Sequence, residues 1–359
     1  MLLGRRSRVP KSLLKATFLY SPRSRDVFLV GSLLFPVLIA LGSWADGSLH
    51  LPGRGKGLFQ HYGYWALFIT TPTIILLTAH LFSTFTAVIT KTSRYCTGLT
   101  DELGSRLDRL IQRHLQSLTL RTRSSWILVF VVFVLICFWL LNVIKTISPF
   151  DTYHHDVFDA YQHTYGFYSS KAYALLIFSL VYSVALYVTL HVTASMISIL
   201  KFLCRYRCLF INFFHPDNCG GTSQFGNVNL LILSIYLNFF VIIYAMYLTH
   251  RETYLVITTS LIACSLLAAL QSISAVYYIH KAVAQKKRES IEALASRLNG
   301  RFAASLQGEA FPNDLLSFRN HLMGVHTFPY ATGALVAVNV IRFAPAVLAL
   351  VAYFKRHSP

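Results

Sequence analysis

Not one Asp or Glu falls within the six long apolar stretches of this 359-residue chain, at 27–44, 64–90, 126–147, 172–200, 230–249 and 254–279. Proton- and sodium-coupled carriers commonly hold carboxylates at membrane depth, so their absence weighs against such a carrier. Also missing are a Gly-x4-Gly-Lys-Ser/Thr phosphate loop, a His-Glu-x2-His pair and a Gly-x-Ser-x-Gly elbow, and the chain reads as a non-enzyme without a cofactor. No internal repeat is visible, which disfavours the inverted-repeat transporter folds. Acids are scarce throughout: 14 Asp and Glu stand against 32 Lys and Arg, for a net charge of +18.

What is present is apolar length. A run of about 20 residues at a rise of about 1.5 Å crosses the hydrocarbon layer of a bilayer. The expected fold is therefore all-α: a polytopic helical membrane protein of six spans, with a small cytoplasmic helical cap. Charge orients it. The arm 1–25 carries +7, and the stretches 91–125, 201–229 and 280–332 carry +4, +2 and +3. The alternate stretches 45–63, 148–170 and 250–253 carry +1, −3 and zero. The positive-inside rule then places the N-terminus in the cytoplasm, and the composition fits an inner-membrane-type helical bundle. The long basic start leads into a span and does not resemble a cleavable signal peptide.

Four segments follow: a basic arm at 1–25, a membrane domain at 26–279, a cytoplasmic helical segment at 280–332, and an apolar segment at 333–359. The last carries Arg342 and Pro345 near its centre, and a seventh span, a re-entrant segment or a packed one would each fit. Cys96, Cys204, Cys208 and Cys219 face the cytoplasm on this topology and Cys137 and Cys264 lie in spans, so no structural disulfide is expected.

Two amphipathic helices are expected at the cytoplasmic side. One covers about 99–118, with Thr100 as cap, Asp101 and Glu102 in the first turn, and Leu103, Leu107, Leu110, Ile111 and Leu118 on one face. Its other face carries Arg106, Arg109 and Arg113. The second has Ile291, Leu294, Leu298 and Phe302 at helical spacing, with Lys286, Lys287 and Arg288 opposite. Neither can bury its stripe alone, so the two would pair with each other or with copies from other subunits. The six basic residues are candidates to hold an anion.

The loop 201–229 contains His215-Pro216-Asp217 followed by Gly220-Gly221. This is turn chemistry, whose amides could form an anion-binding nest or could simply cap the fifth span. His215, Asp217, Gly220 and Gly221 are accordingly candidate ligand-binding residues. Cys204, Cys208, His215 and Cys219 offer loose zinc spacing, but buried thiols explain them better, and no metal is expected. Asp151, His155, Asp159 and His163 recur every four residues and would line an external mouth if helical, or else a solvated loop face. Thr73, His80 and Thr84 share one face of the second span, as a pore stripe or as packing polar groups.

The chain resembles uncharacterised bacterial membrane proteins with a His-Pro-Asp-x-x-Gly-Gly loop. In overall character it also resembles the transmembrane effectors of nucleotide-signalling anti-phage systems, the Hailong type in particular. That resemblance implies a channel-like homo-oligomer held silent by a DNA oligomer from a partner nucleotidyltransferase. The expected function is a gated channel controlled by a cytoplasmic nucleotide or oligonucleotide. A carrier with a midplane pocket near His80, His191 or Asn238, and a membrane-anchored scaffold or sensor, are the alternatives.

Overall fold

The computed structural model describes residues 22–45, 62–90, 96, 100–118, 123–147, 169–209, 211–217, 219, 221–249, 254–305 and 313–329. Most of the basic arm, the acidic stretch with Asp151, His155, Asp159 and His163, Gly220 and the apolar segment 333–359 lie outside them. Eight helices are described: α1 (Pro22–Ala45), α2 (Tyr62–Thr90), α3 (Asp101–Leu118), α4 (Arg123–Ile147), α5 (Ser169–Arg205), α6 (Ser223–Thr249), α7 (Tyr254–Ser305) and α8 (Asn313–Gly324). The protein is an all-α polytopic membrane protein.

Helices α2, α5, α6 and α7 form the centre, α1 leans on α2 and α5, and α4 leans on α5. Spans long and apolar enough to cross a membrane occur in those four central helices. Taken together, α3 and α4, bent by 47° at their junction, qualify as a fifth. The sixth expected span is α1, whose described apolar stretch, Pro36–Ala45, is shorter than a span. Apolar side chains crowd the outer surfaces of α1 and α4, as with Leu33 at 63% and Phe130 at 64% exposure, which suits lipid and would be untenable in water.

Because lipid is as apolar as leucine, polar contacts contribute much of the specificity between membrane helices. Tyr182 of α5 meets the Thr70 hydroxyl of α2 at 2.6 Å. Gln271 of α7 donates to the Tyr236 hydroxyl of α6 at 2.7 Å and accepts from Thr193 of α5 at 3.1 Å. The Asn229 amide of α6 donates to the Ser272 carbonyl and hydroxyl of α7 at 3.2 and 3.1 Å. Around Pro72, which cannot donate to the helix ladder, Thr70, Thr71 and Thr73 each donate a hydroxyl to the carbonyl four residues back.

Thr100 caps α3 as its position suggests: its hydroxyl accepts from Leu103 N at 3.3 Å and its carbonyl from Gly104 N at 2.9 Å. The buried face of α3 is Leu107, Ile111, Leu115 and Leu118, packed on α5 and α4 of the same chain. Removing a Leu or Ile side chain from water is worth about 1.5–3 kcal/mol, so this docking satisfies α3 without a second subunit or the other basic helix. That other helix is no separate element. It is the distal part of α7, which runs unbroken for 52 residues, about 78 Å at ~1.5 Å per residue, through the expected boundary at 280. It packs against α8: Leu294 and Leu322 are buried, and Lys287, on the same side as Leu294 and not opposite it, donates its Nζ to the Met323 and Val325 carbonyls at 2.9 Å each.

A candidate anion cavity at the basic end

Helix α5 ends in a turn that controls where its last cations point. Cys208 N donates to Leu203 O at 3.0 Å and Arg207 N to Cys204 O at 3.2 Å. This is the paired-bond helix terminus in which the residue between must be left-handed, a position glycine normally fills. Here it is Arg207, at φ 52°. A side chain in that region strains the backbone by about 1–2 kcal/mol.

The turn faces α7 across a half-open cavity of about 880 Å³, within the usual size range for small-molecule sites. Lys201, Arg205 and Arg207 line one side and Lys281 and Lys286 the other; among the described residues Glu289 is the one acid on its wall. Glu289 is engaged by Gln285 at 3.0 Å and Lys286 at 3.7 Å. Among the described residues no carboxylate pairs with Lys201, Arg205, Arg207 or Lys281. These cations also face the negative end of the α5 dipole, which offsets only about half a charge. A surplus of positive charge remains.

The six basic candidates from the amphipathic helices separate in space. Lys286 lines the cavity. Lys287 is turned to α8, and Arg288 is exposed outside the lining. Arg106 pairs with Glu102 at 2.7 Å, Arg109 bonds its own helix at Ser105 O, and Arg113 is exposed; no residue of α3 lines the cavity. Lys201, Arg205, Arg207 and Lys281 were missed. Their spacing at a span end was the available signal, and topology alone explained it.

The His-Pro-Asp loop already holds an anion, its own Asp217. Oδ1 accepts from Cys219 N and Gly221 N at 2.9 and 3.0 Å, and Oδ2 from Ser223 N at 3.2 Å, the first residue of α6. Burial acts to raise the Asp217 pKa, but these amides outweigh it and hold the carboxyl below its ordinary value. Gly221 sits at φ 85°, beside the His215 ring, where a side chain would be strained. His215 Nδ1 lies 3.0 Å from Asp217 Oδ1 and 3.3 Å from Asp217 N; it can donate to the first or accept from the second, not both at once.

The remaining candidates disperse. Thr73 and His80 are exposed on the outer face of α2, with Thr84 half-buried beside them. His191 is bonded to His114 O of α3 at 3.2 Å and Asn238 to Ser234 O at 2.8 Å, so His80, His191 and Asn238 do not converge. A second cavity of about 540 Å³, between α2, α4, α5, α6 and α7, has no charged residue on its wall among the described residues. Among the described residues no three metal-ligating side chains converge. Cys204 faces Tyr278 O and Cys208 faces Tyr206 O, and none of the six cysteines is in a disulfide. Comparison of the chain with protein-family models, with curated proteins and with solved structures finds no match.

Proposed function

We propose that the protein is a gated, channel-like membrane effector whose switching ligand is an anion held in the basic cavity. The observation that carries this reading is the origin of the cavity walls. One comes from the end of α5 and the other from α7, two helices that also pack on each other within the membrane. A ligand bridging them sets their separation, and rigid helices carry that change through the bilayer.

In this reading the chain forms a homo-oligomer in the bacterial inner membrane, with the basic end in the cytoplasm. Its α2 stripe of Thr73, His80 and Thr84 then borders a conduction path between subunits, sparing these polar groups lipid. The resemblance to Hailong-type effectors suggests a nucleotide or DNA oligomer as ligand, and a role in anti-phage defence.

The test is ion flux through the purified chain in liposomes, with and without cyclic nucleotides and short DNA oligomers. Flux that changes with one of them, and stops responding in Lys281→Glu, supports the reading. A correctly assembled protein that passes no ion under any condition sinks it.

A further inference from the structure

The cavity is two-natured. Between its cations the lining also carries Leu203, Leu209, Ile211 and Ala282, with Tyr278 at the end of the apolar run of α7. A site for a small inorganic anion has no need of such a wall. Two guanidiniums, Arg205 and Arg207, supply the planar forks that match phosphate oxygens bidentately, while Lys201 and Lys281 add point charge. The strain at Arg207 is a further mark of a built site, because glycine would form the same turn without it and would carry no charge.

We propose that the cavity binds a phosphate ester with an apolar or planar body: phosphate on Arg205, Arg207 and Lys281, body on Tyr278 and the leucine–isoleucine wall. This deepens, and rests on, the reading of the cavity as the anionic ligand site. Two sources carry that chemistry. One is the headgroup and glycerol region of an anionic phospholipid, favoured by Lys201 and Lys281 standing where the apolar runs of α5 and α7 end. The other is a free nucleotide, whose base would stack on Tyr278.

The experiment titrates the full-length chain in neutral detergent with dihexanoyl phosphatidylglycerol, with ATP, with zwitterionic dihexanoyl phosphatidylcholine and with inorganic phosphate. Binding is read by calorimetry at two salt concentrations. The proposal expects phosphatidylglycerol, ATP or both to bind more tightly than phosphatidylcholine and inorganic phosphate, with affinity falling as salt rises. Whichever of the two binds more tightly names the source. In Arg205→Glu/Lys281→Glu the dissociation constant should rise by about tenfold or more, with Arg106→Glu on α3 changing it by less than about twofold. Arg205→Gln/Lys281→Gln, which removes charge without reversing it, should give a smaller loss of the same sign. Binding of neither phosphatidylglycerol nor ATP, or equal weakening by Arg106→Glu, overturns the assignment.

Because binding is read without flux, the two readings fail separately. A chain that binds but never conducts keeps this site and loses the channel. A nucleotide-responsive flux indifferent to Arg205→Glu/Lys281→Glu keeps the channel and loses this site.

Discussion

The Tyr187 hydroxyl of α5 donates to the Ser117 carbonyl of α3 at 2.8 Å. Ser117 stands in the last turn of α3, where carbonyls have no partner within the helix. Ser125 Oγ donates to the same oxygen at 2.9 Å, and His191 meets His114 O one turn earlier. The end of α3 is thus sewn to α5 by groups some 70 residues away.

Tyr187→Phe should destabilise the protein by about 1 kcal/mol, the net worth of one buried hydrogen bond. Ser125 remains as a donor, so the loss is graded. Amide hydrogen exchange should rise along α3 and leave α6 unchanged. Uniform exchange along both helices would contradict this account of how α3 is held.

Asp217→Ala should cost about 1–3 kcal/mol, because two loop amides, of Cys219 and Gly221, and the first amide of α6 lose their acceptor together. Asp217→Asn, which keeps one oxygen, should cost less. The carboxyl is held below its ordinary value, so its contribution is complete above the ordinary carboxylate range and is lost as pH falls below 3.8. Thermal unfolding in detergent should therefore show a smaller wild-type margin over Asp217→Asn at pH 3.8 than at pH 6, which lies about two units clear of that range.

Arg207→Gly should relieve left-handed strain and stabilise the turn by about 1 kcal/mol, raising the apparent Tm by about 2 °C. The same change removes a guanidinium from the cavity and should weaken anion binding. Stability up with affinity down is the expected pair. A loss of both would show that the arginine supports the fold.

Burial pushes the Cys96 thiol up to about 12, with the neighbouring Cys208 adding to it, and burial followed by Asp217 pushes Cys219 up to about 11. Thiolate is the reactive form, so neither should be alkylated by iodoacetamide at pH 8 in the folded protein. Mass spectrometry after brief exposure, repeated in denaturant, checks this. Rapid modification of the native protein would contradict the packing of Cys96 beside Leu209, or the burial of Cys219, according to the residue modified.

The membrane-spanning character was plain in the sequence because twenty apolar residues in a row have few other uses. The Thr100 cap was equally legible, since its hydroxyl and the amides it serves lie within four residues. The fate of the α3 stripe was not. Helical periodicity shows that Leu107 and Ile111 share a face, and says nothing of whether α5, α7 or another subunit covers it. The His-Pro-Asp loop was read as a turn with amides to spare, but which anion fills them depends on where the Asp217 rotamer points.

Sequence alone determined that this chain is a helical membrane protein with one strongly basic end, because hydropathy, charge and capping act over a few residues. Only tertiary structure decided that Arg207 and Lys281, 74 positions apart, face one cavity while Arg106 and Arg113 do not. The physical reason is rotation: each helix fixes which of its residues share a face, and the packing of α5 against α7 decides which faces meet.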